Sequence, residues 1–248
     1  YLCNMKWIGY LLSSIWRLWF LISFIIAFII FIPPLFLFTA IIKNNLIVNY
    51  ITKYWSAMFM FMSGIFWKIE FEEKLDYNKR YIFCPNHVST LDIPLVTAAI
   101  PLPLLFMGKK ELTSIPLFGY FYKKNSIIVD RSKIRDSYAA FIKAGDKLDK
   151  GLNVCIFPEG GIPNSKIFLK KFKNGPFKLA VEKEVHIVPV TLADNKNNFP
   201  QEYYKGYPGR VRIKVHKAIK PNSNDKNAIE NLNTCVYNTI FEQLKKYG

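Results

Sequence analysis

Histidine, cysteine and acidic residues are scarce in this sequence. Its 248 residues include 3 histidines and 4 cysteines, and no two cysteines form a C-x-x-C pair. A structural metal site is therefore not predicted, because such sites draw on clusters of these residues. Cys84 and Cys155 lie inside apolar, strand-like runs, so we expect buried thiols in a protein of a reducing compartment.

Acidic residues are outnumbered by basic ones, 18 against 34, which gives a formal net charge of +16. This positive field favours anionic partners, such as phospholipid headgroups, phosphorylated substrates, acidic carrier proteins or nucleic acid. Aromatic residues make up 16% of the chain, but they concentrate in apolar runs instead of alternating with cations. We therefore predict no nucleic-acid partner. The hydrophobic content of 51% excludes a disordered chain.

Two long apolar stretches stand at the N-terminal end. Leu18–Ile42 has no charged residue over 25 positions, and Leu46–Ile69 carries a narrow polar stripe at helical spacing. Pro33 and Pro34 are expected to disturb the first helix. We interpret residues 1–70 as a helical hairpin that anchors the chain in a membrane. We favour a hairpin that dips into one leaflet over one that spans the bilayer and returns. Two core helices of a soluble protein remain the alternative.

Residues 71–248 alternate between short apolar runs and helical patterns. The predicted strands are Tyr81–Cys84, Leu104–Met107, Ser126–Val129, Val154–Phe157, Ile187–Leu192 and Val211–Val215. The predicted helices are Ile93–Ile100, Lys133–Asp149, Pro176–Lys183 and Ala228–Lys246. This alternation predicts an α/β domain with a mixed, largely parallel sheet flanked by helices.

The segment FCPNHVSTLDIP, residues 83–94, places His87 five residues before Asp92, between a predicted strand and a predicted helix. On a helix this offset would turn the two side chains about 140° apart, so they meet only if the intervening residues form a turn. A carboxylate bound to one ring nitrogen would leave the other free to act as a general base. The alternatives are a helix cap for Asp92 and a solvent-facing loop imidazole for His87. Ser89 lies outside a G-x-S-x-G turn, so we assign it packing or loop hydrogen bonds and no nucleophilic role.

Two later segments carry charged residues at predicted strand ends. Lys109 and Arg131 could hold a phosphate, although a solvated surface cation is the simpler interpretation of each. In FPEGG, Glu159 follows a strand, and Gly160 and Gly161 allow the backbone to approach a ligand closely. We expect Glu159 to hydrogen-bond a substrate hydroxyl or to tie its loop to Arg131.

Four segments, in order over residues 80–192, resemble the four blocks of the glycerolipid acyltransferase family, which includes the 1-acylglycerol-3-phosphate acyltransferases. They are NHVSTLD, KKELTSIPLFG…IIVDR, FPEGG…LKKFKNGPFKLA and IVPV. The resemblance implies that His87 and Asp92 form a catalytic dyad and that Asn86 supports their loop. It also implies an acceptor-binding set made of Lys109, Arg131, Glu159, Gly160 and Gly161. Residues 71–248 would then be the catalytic domain.

The implied reaction transfers a fatty acyl group from a coenzyme A or acyl-carrier-protein thioester to the free hydroxyl of 1-acylglycerol 3-phosphate, giving phosphatidic acid. His87 would take the hydroxyl proton and backbone donors would stabilise the oxyanion, with no acyl-enzyme, cofactor or metal. The implied partners are the thioester, the lysophospholipid acceptor and a phospholipid bilayer, with the protein at the cytoplasmic face of the membrane.

The segment after FPEG departs from the family pattern. Gly161 and Ile162 stand where the family commonly has threonine and arginine, and Lys166, Lys170 or Lys171 could substitute for that arginine at the acceptor phosphate. Another acceptor, such as glycerol 3-phosphate or a different lysolipid, therefore remains an alternative. A non-catalytic peripheral membrane protein is a further one.

Overall fold

A helical hairpin and an α/β sheet make up the part of the chain that the structure describes. This computed structural model places residues 2–130, 133–164 and 166–248, and gives the side chains of all of these except residues 2–6 and 134. The hairpin consists of helix α1 (Leu2–Phe36), a π-helical turn (Leu37–Ile41) and helix α2 (Asn45–Met62). It confirms the predicted pair of N-terminal helices.

Helix α1 continues through Pro33 and Pro34, and the regular helix changes to a π-helical turn only after Phe36, so the predicted disturbance is not at the prolines themselves. Both prolines lie in its last turn, where a missing N–H removes a bond near the helix end instead of in its middle. In the π-helical turn that follows, the N–H of Ile42 donates to the carbonyl of Leu37 at 2.9 Å. The side chain of Asn44 then caps α2 and accepts from two of its first N–H groups at 3.1 Å each. Hydrogen bonds thus define the connection between the two helices.

The helical stretch Trp7–Ile41 is the one described segment that is long and apolar enough to cross a membrane. Only 17% of its most apolar 18-residue window is buried inside the protein. Arg17 fixes one side of this helix to the rest of the molecule. Its guanidinium donates to the carbonyls of Pro200 at 2.5 Å and Lys205 at 2.8 Å, and lies 4.4 Å from the ring centroid of Phe199. Other faces of α1 carry exposed apolar residues, such as Leu11 and Leu18.

Seven strands form one sheet within the described residues. In chain order they are β1 (Ile65–Phe71), β2 (Tyr81–Pro85), β3 (Leu104–Lys109), β4 (Ser126–Val129), β5 (Asn153–Cys155), β6 (His186–Leu192) and β7 (Gly209–Val215). Their order in the sheet is β1-β7-β6-β2-β5-β3-β4, and every neighbouring pair is parallel except β6 and β7. The predicted mixed, largely parallel sheet is confirmed.

The later helices flank this sheet. They are α3 (Asp92–Ala99), α4 (Phe118–Asn125), α5 (Ile134–Asp149), α6 (Gly175–Glu182), α7 (Asn195–Asn198) and α8 (Ala228–Tyr247), with a short 3-10 helix at Lys110–Ser114. Helices α3, α5, α6 and α8 lie where helices were predicted. Helix α4 was not predicted, because FGYFYKKN is short and mixes aromatic and basic residues without a clear apolar period.

The predicted apolar helix Leu46–Ile69 is wrong at its C-terminal end. Helix α2 ends at Met62, Gly64 takes a φ of +74°, and Ile65–Phe71 form edge strand β1, paired in parallel with β7. A Cβ at position 64 would lie 2.9 Å from the Cβ of Pro208, so this turn requires glycine. Strand β1 therefore crosses the boundary drawn after residue 70, and the division into two domains stays a prediction.

Helices cover both faces of the sheet. On one face, α1, α2 and α3 pack on side chains such as Phe83 and Val188, and on the other, α5, α6 and α8 pack on Ile82 and Cys84. Alternate residues of β2 thus enter two separate cores, as the strand period requires. Cys84 and Cys155 are fully buried, one in each core, and burial raises the pKa of both thiols. The predicted buried cysteines are confirmed.

Candidate active site

The carboxyl ends of β2, β5 and β6 meet in the middle of the sheet, where α/β proteins usually bind their ligands. Asn86 begins the loop after β2 and is fully buried. Its Nδ2 donates to the carbonyl of Leu192 at 3.0 Å, and its Oδ1 accepts the N–H of Leu192 at 2.7 Å. This pair of bonds fixes the start of the loop to the end of β6. A direct contact between Asn86 and a substrate stays a prediction.

His87 and Asp92 meet across a turn. Nδ1 of His87 lies 2.8 Å from Oδ2 of Asp92, and the same oxygen accepts the N–H of Val88 at 2.7 Å and of Ser89 at 2.9 Å. These bonds close the loop into the turn that the five-residue offset requires. The N-cap position of α3 belongs to Leu91, and the Asp92 carboxylate binds the turn before the helix. The alternative interpretation of Asp92 as a helix cap is therefore wrong.

The carboxylate of Asp92 is fully buried, and hydrogen bonds satisfy both of its oxygens. Oδ2 accepts the three donors of the turn, and Oδ1 accepts from Nδ2 of Asn195 at 2.6 Å. The residue also stands in the first turn of α3, where the helix dipole favours negative charge. Donors aimed at the charged form offset the loss of hydration on burial. The site is built to hold an anion behind the imidazole.

The imidazole of His87 is packed rather than solvated. It stacks on the ring of Phe157 with centroids 4.1 Å apart and an angle of 23° between the planes, and 5% of the residue is exposed. The alternative of a solvent-facing loop histidine is therefore wrong. Because Nδ1 is bound to Asp92, Nε2 is the nitrogen left to exchange a proton with a substrate. This arrangement can support general-base chemistry.

Glu159 is fully buried and ties two loops together. Its Oε1 accepts the backbone N–H of His87 at 2.6 Å, and its Oε2 accepts the N–H of Lys170 at 3.1 Å. Burial raises the pKa of this carboxyl, and the two backbone hydrogen bonds counteract part of that effect. The geometry makes Glu159 a support for the histidine loop, and its predicted bond to a substrate hydroxyl stays a prediction.

Gly160 and Gly161 follow with φ values of +74° and +156°. A Cβ on Gly160 would lie 2.7 Å from Cε and 3.0 Å from Nζ of Lys173, so this lysine crosses the glycine loop. A cation therefore stands beside the segment that lacks the family's arginine. The three lysines that were expected to replace it are all exposed: Lys166, Lys170 and Lys171.

An apolar cavity of about 450 Å³ opens beside His87. Its lining includes aromatic residues of α1, α2 and α4, among them Phe24, Phe28, Trp55 and Phe118. Lys109, exposed at the end of β3, lines it as well. A larger groove of about 600 Å³ lies between α1 and residues 196–207 and does not include His87. The 450 Å³ cavity is the one that joins an apolar lining to the base, and its size suits a small-molecule site.

Arg131 lies outside the described residues, so its predicted contact with the acceptor stays a prediction. Among the residues that the structure places, no group of three or more His, Cys, Asp or Glu side chains could hold a metal ion. The expectation of a reaction without metal or cofactor likewise stays a prediction.

Sequence reasoning missed two residues that contact the dyad, Asn195 and Phe157. Asn195 comes three residues after the end of β6, the strand next to β2, and this position at the carboxyl edge is the signal that could have identified it. Ser89 makes the predicted loop hydrogen bond, from Oγ to the carbonyl of Phe199 at 2.6 Å.

Comparisons with known proteins find similar acyltransferases. The chain is 28% identical over 190 residues to a 1-acyl-sn-glycerol-3-phosphate acyltransferase of Saccharomyces cerevisiae, which is 75% of this chain and 62% of that protein. It is 27% identical over 187 residues to a protein of the same name from Borreliella burgdorferi, covering 75% of this chain and 74% of that one. The chain thus spans less than two thirds of the yeast relative's length.

A solved structure has the same fold. The crystal structure of the 1-acyl-sn-glycerophosphate (LPA) acyltransferase PlsC from Thermotoga maritima matches with a TM-score of 0.78 at 22% identity, over 98% of this chain and 97% of that one. The family model described as Acyltransferase matches residues 67–193, about half of the chain, and this range contains His87, Asp92 and Glu159. The chain belongs to the acyltransferase family.

Proposed function

We propose that this chain transfers a fatty acyl group from an acyl thioester, acyl-CoA or acyl-carrier protein, to the free hydroxyl of 1-acylglycerol 3-phosphate. The products are phosphatidic acid and a free thiol. The observation that carries the proposal is the His87–Asp92 pair, 2.8 Å apart, in the wall of an apolar cavity. Similarity to 1-acyl-sn-glycerol-3-phosphate acyltransferases supports the choice of acceptor.

In the proposed reaction, Nε2 of His87 takes the proton of the acceptor hydroxyl while the hydroxyl oxygen forms a bond to the thioester carbonyl carbon. The carboxylate of Asp92 stabilises the imidazolium that results. The tetrahedral intermediate then expels the thiolate, which takes the proton back from Nε2. The base is regenerated, and no covalent enzyme intermediate is formed.

We assign the acyl tail of the thioester to the apolar cavity. Its aromatic lining would keep water from the alkyl chain, and each buried methylene is worth about 0.8 kcal/mol. Two lysine side chains would bind the phosphate of the acceptor. Lys109 lines the exposed part of the same cavity, and Lys173 crosses the glycine loop next to Glu159. Both are exposed, so a charged headgroup can reach them.

The proposed acceptor and product are lipids, so the protein has to reach a bilayer. The uncovered apolar surface of Trp7–Ile41 is suited to insertion into a membrane. The net charge of +16 would then favour the anionic headgroups of the cytoplasmic leaflet. We therefore propose that the hairpin anchors the protein at the cytoplasmic face of a membrane.

A panel of acceptors tests this function. The purified full chain in mixed lipid micelles is given acyl-CoA or acyl-carrier protein with, in turn, 1-acylglycerol 3-phosphate, glycerol 3-phosphate and lysophosphatidylcholine. We expect the highest kcat/KM for 1-acylglycerol 3-phosphate, with one phosphatidic acid formed per thiol released.

A higher kcat/KM for another acceptor would favour the alternative that Gly161 and Ile162 leave open. Absence of thiol release with every acceptor and both donors would overturn the proposal and favour a non-catalytic membrane protein.

A further inference from the structure

Asn195 is a buried residue that follows β6, the strand next to β2, and its side chain reaches the proposed dyad. It is the first residue of α7 and has 0% of its surface exposed. Its Nδ2 donates to Oδ1 of Asp92 at 2.6 Å. Its own Oδ1 is buried and has no hydrogen-bond partner among the described residues. The side chain therefore uses its donor on Asp92 and leaves its acceptor unpaired.

An unpaired buried amide oxygen destabilises the folded state, and an apolar residue of similar size would avoid that cost. The benefit of asparagine at this position must then lie in its N–H donor. A second asparagine of the same helix differs in this respect. Asn198 is also buried, but its Nδ2 donates to the carbonyl of Tyr207 at 3.3 Å. The two residues share their helix and burial, and they differ in whether they touch Asp92.

The backbone of Asn195 is held in place by the residue before it. Asp194 accepts two side-chain bonds from Arg212 of β7, from Nε to Oδ2 at 2.9 Å and from Nη2 to Oδ1 at 2.7 Å. The N–H of Arg212 donates to the same Oδ2 at 2.9 Å. Bidentate pairs of this kind fix geometry as well as charge. The Asn195 amide is thus delivered to the site from an anchored helix.

The two oxygens of Asp92 depend on different parts of the chain. Oδ2 accepts from His87, Val88 and Ser89 of its own turn, whereas the donor to Oδ1 comes from Asn195. Without that donor, a buried carboxylate oxygen would lose its hydrogen-bond partner. The carboxylate would then be held only by its own turn, and its orientation toward Nδ1 of His87 would be less well defined.

We propose that Asn195 is a positioning residue for the acyl transfer: it orients the Asp92 carboxylate, and through Asp92 it fixes the ring and tautomer of His87. This inference rests on the proposed function. The titratable groups that face Asp92 are His87 and Glu159. The charges beside Asn195 are engaged elsewhere, since Asp194 pairs with Arg212, and Nζ of Lys196 donates to the carbonyl of Ile167 at 3.4 Å.

The test compares Asn195→Ala with Asn198→Ala in the full chain, using the best acceptor from the panel. We expect Asn195→Ala to lower kcat about 10- to 100-fold, as loss of an outer orienting partner typically does, with the acceptor KM unchanged. We also expect its kcat–pH profile to differ from that of the wild type, because the carboxylate that holds the proposed base has then lost a hydrogen bond. Asn198→Ala should keep the wild-type kcat and pH profile.

Thermal unfolding of every variant separates positioning from folding. If Asn195→Ala does not fold, Asn195→Leu replaces it, because leucine keeps the volume and removes the unpaired oxygen together with the donor. A folded Asn195 variant with wild-type kcat and pH profile would overturn the inference. Equal kcat losses in Asn195→Ala and Asn198→Ala, in proportion to lost stability, would overturn it too. A parallel His87→Ala variant distinguishes the two proposals. Full activity of His87→Ala would reject the proposed base. An inactive His87→Ala beside a fully active Asn195→Ala would reject only the positioning role.

Discussion

The buried carboxylate of Glu159 accepts the backbone N–H of His87 at 2.6 Å, across 72 positions of sequence. This bond fixes the main chain of the proposed base, while Asp92 fixes its ring. The imidazole is therefore held from two sides before a substrate arrives. Groups that are oriented in advance need no reorganisation during the reaction. Such preorganisation is the usual source of electrostatic stabilisation in catalysis.

Removing this support should slow the reaction. In Glu159→Ala, the buried N–H of His87 and the partly buried N–H of Lys170 lose their acceptor. We expect kcat to fall by about 10-fold or more, which corresponds to about 1.4 kcal/mol in the activation free energy, because the loop that carries the proposed base is no longer held. Steady-state thiol release measures kcat, and thermal unfolding reports the fold. Glu182→Ala, at an exposed pair with Lys178, is the control and should keep kcat. An unchanged kcat in folded Glu159→Ala would refute the supporting role.

The volume of the cavity should set the preferred acyl chain. Thr97 of α3 lines the cavity, and tryptophan at this position would fill part of it. We expect Thr97→Trp to shift the preference toward shorter thioesters, by about fourfold in kcat/KM for each methylene excluded. The measurement is a series of acyl-CoA donors of increasing length. Thr234→Trp, at an exposed position on α8, should leave the series unchanged. An unaltered preference in Thr97→Trp would place the acyl tail elsewhere.

The uncovered surface of α1 should hold the protein on lipid. Leu11 and Leu18 are 61% and 57% exposed. Aspartate at both positions should abolish sedimentation with neutral phosphatidylcholine vesicles, because a charged side chain in the hydrocarbon costs about 2.5–3.5 kcal/mol. Neutral vesicles exclude attraction by the basic surface. Tyr138→Asp, 64% exposed on α5, is the control and should still bind. Binding that survives the double substitution would show that another surface anchors the chain.

Acid should destabilise the fold through His216. This residue is 4% exposed, with Nε2 2.8 Å from Oγ1 of Thr191 and Nδ1 3.1 Å from Oε1 of Glu72. Burial lowers the pKa of His216 below its ordinary value of 6.5, against the opposing effect of Glu72. Below pH 6.5 His216 binds a proton in the unfolded state but stays neutral in the folded state. The free energy of unfolding therefore falls as the pH drops.

We expect His216→Gln to flatten this decline between pH 7.5 and about 5.5, the range around the ordinary histidine pKa. Chemical denaturation at several pH values measures it. A decline of equal slope in wild type and variant would assign the acid sensitivity to other groups.

The sequence predicts the strands around the site because each is a short apolar run between turn residues. It also predicts the turn between His87 and Asp92, since a helix would hold those side chains apart. It does not reveal strand β1, because the apolar run of α2 continues past Gly64 into the strand. Nothing in the hydrophobic pattern marks the change from helix to strand. Nor does it reveal Asn195 or the cavity. Both depend on elements distant in sequence, and only the folded sheet brings them beside His87.

Thiol release by His87→Ala, measured beside His186→Ala, tests the central claim. His186 is the first residue of β6, and Asn86 contacts Leu192 at the other end of this strand. His186→Ala therefore controls for the loss of an imidazole away from the site. We expect His87→Ala to lose about 10²- to 10⁴-fold in kcat, the usual contribution of a general base, while His186→Ala keeps near wild-type turnover. Undiminished thiol release in a folded His87→Ala variant would contradict general-base catalysis by this histidine.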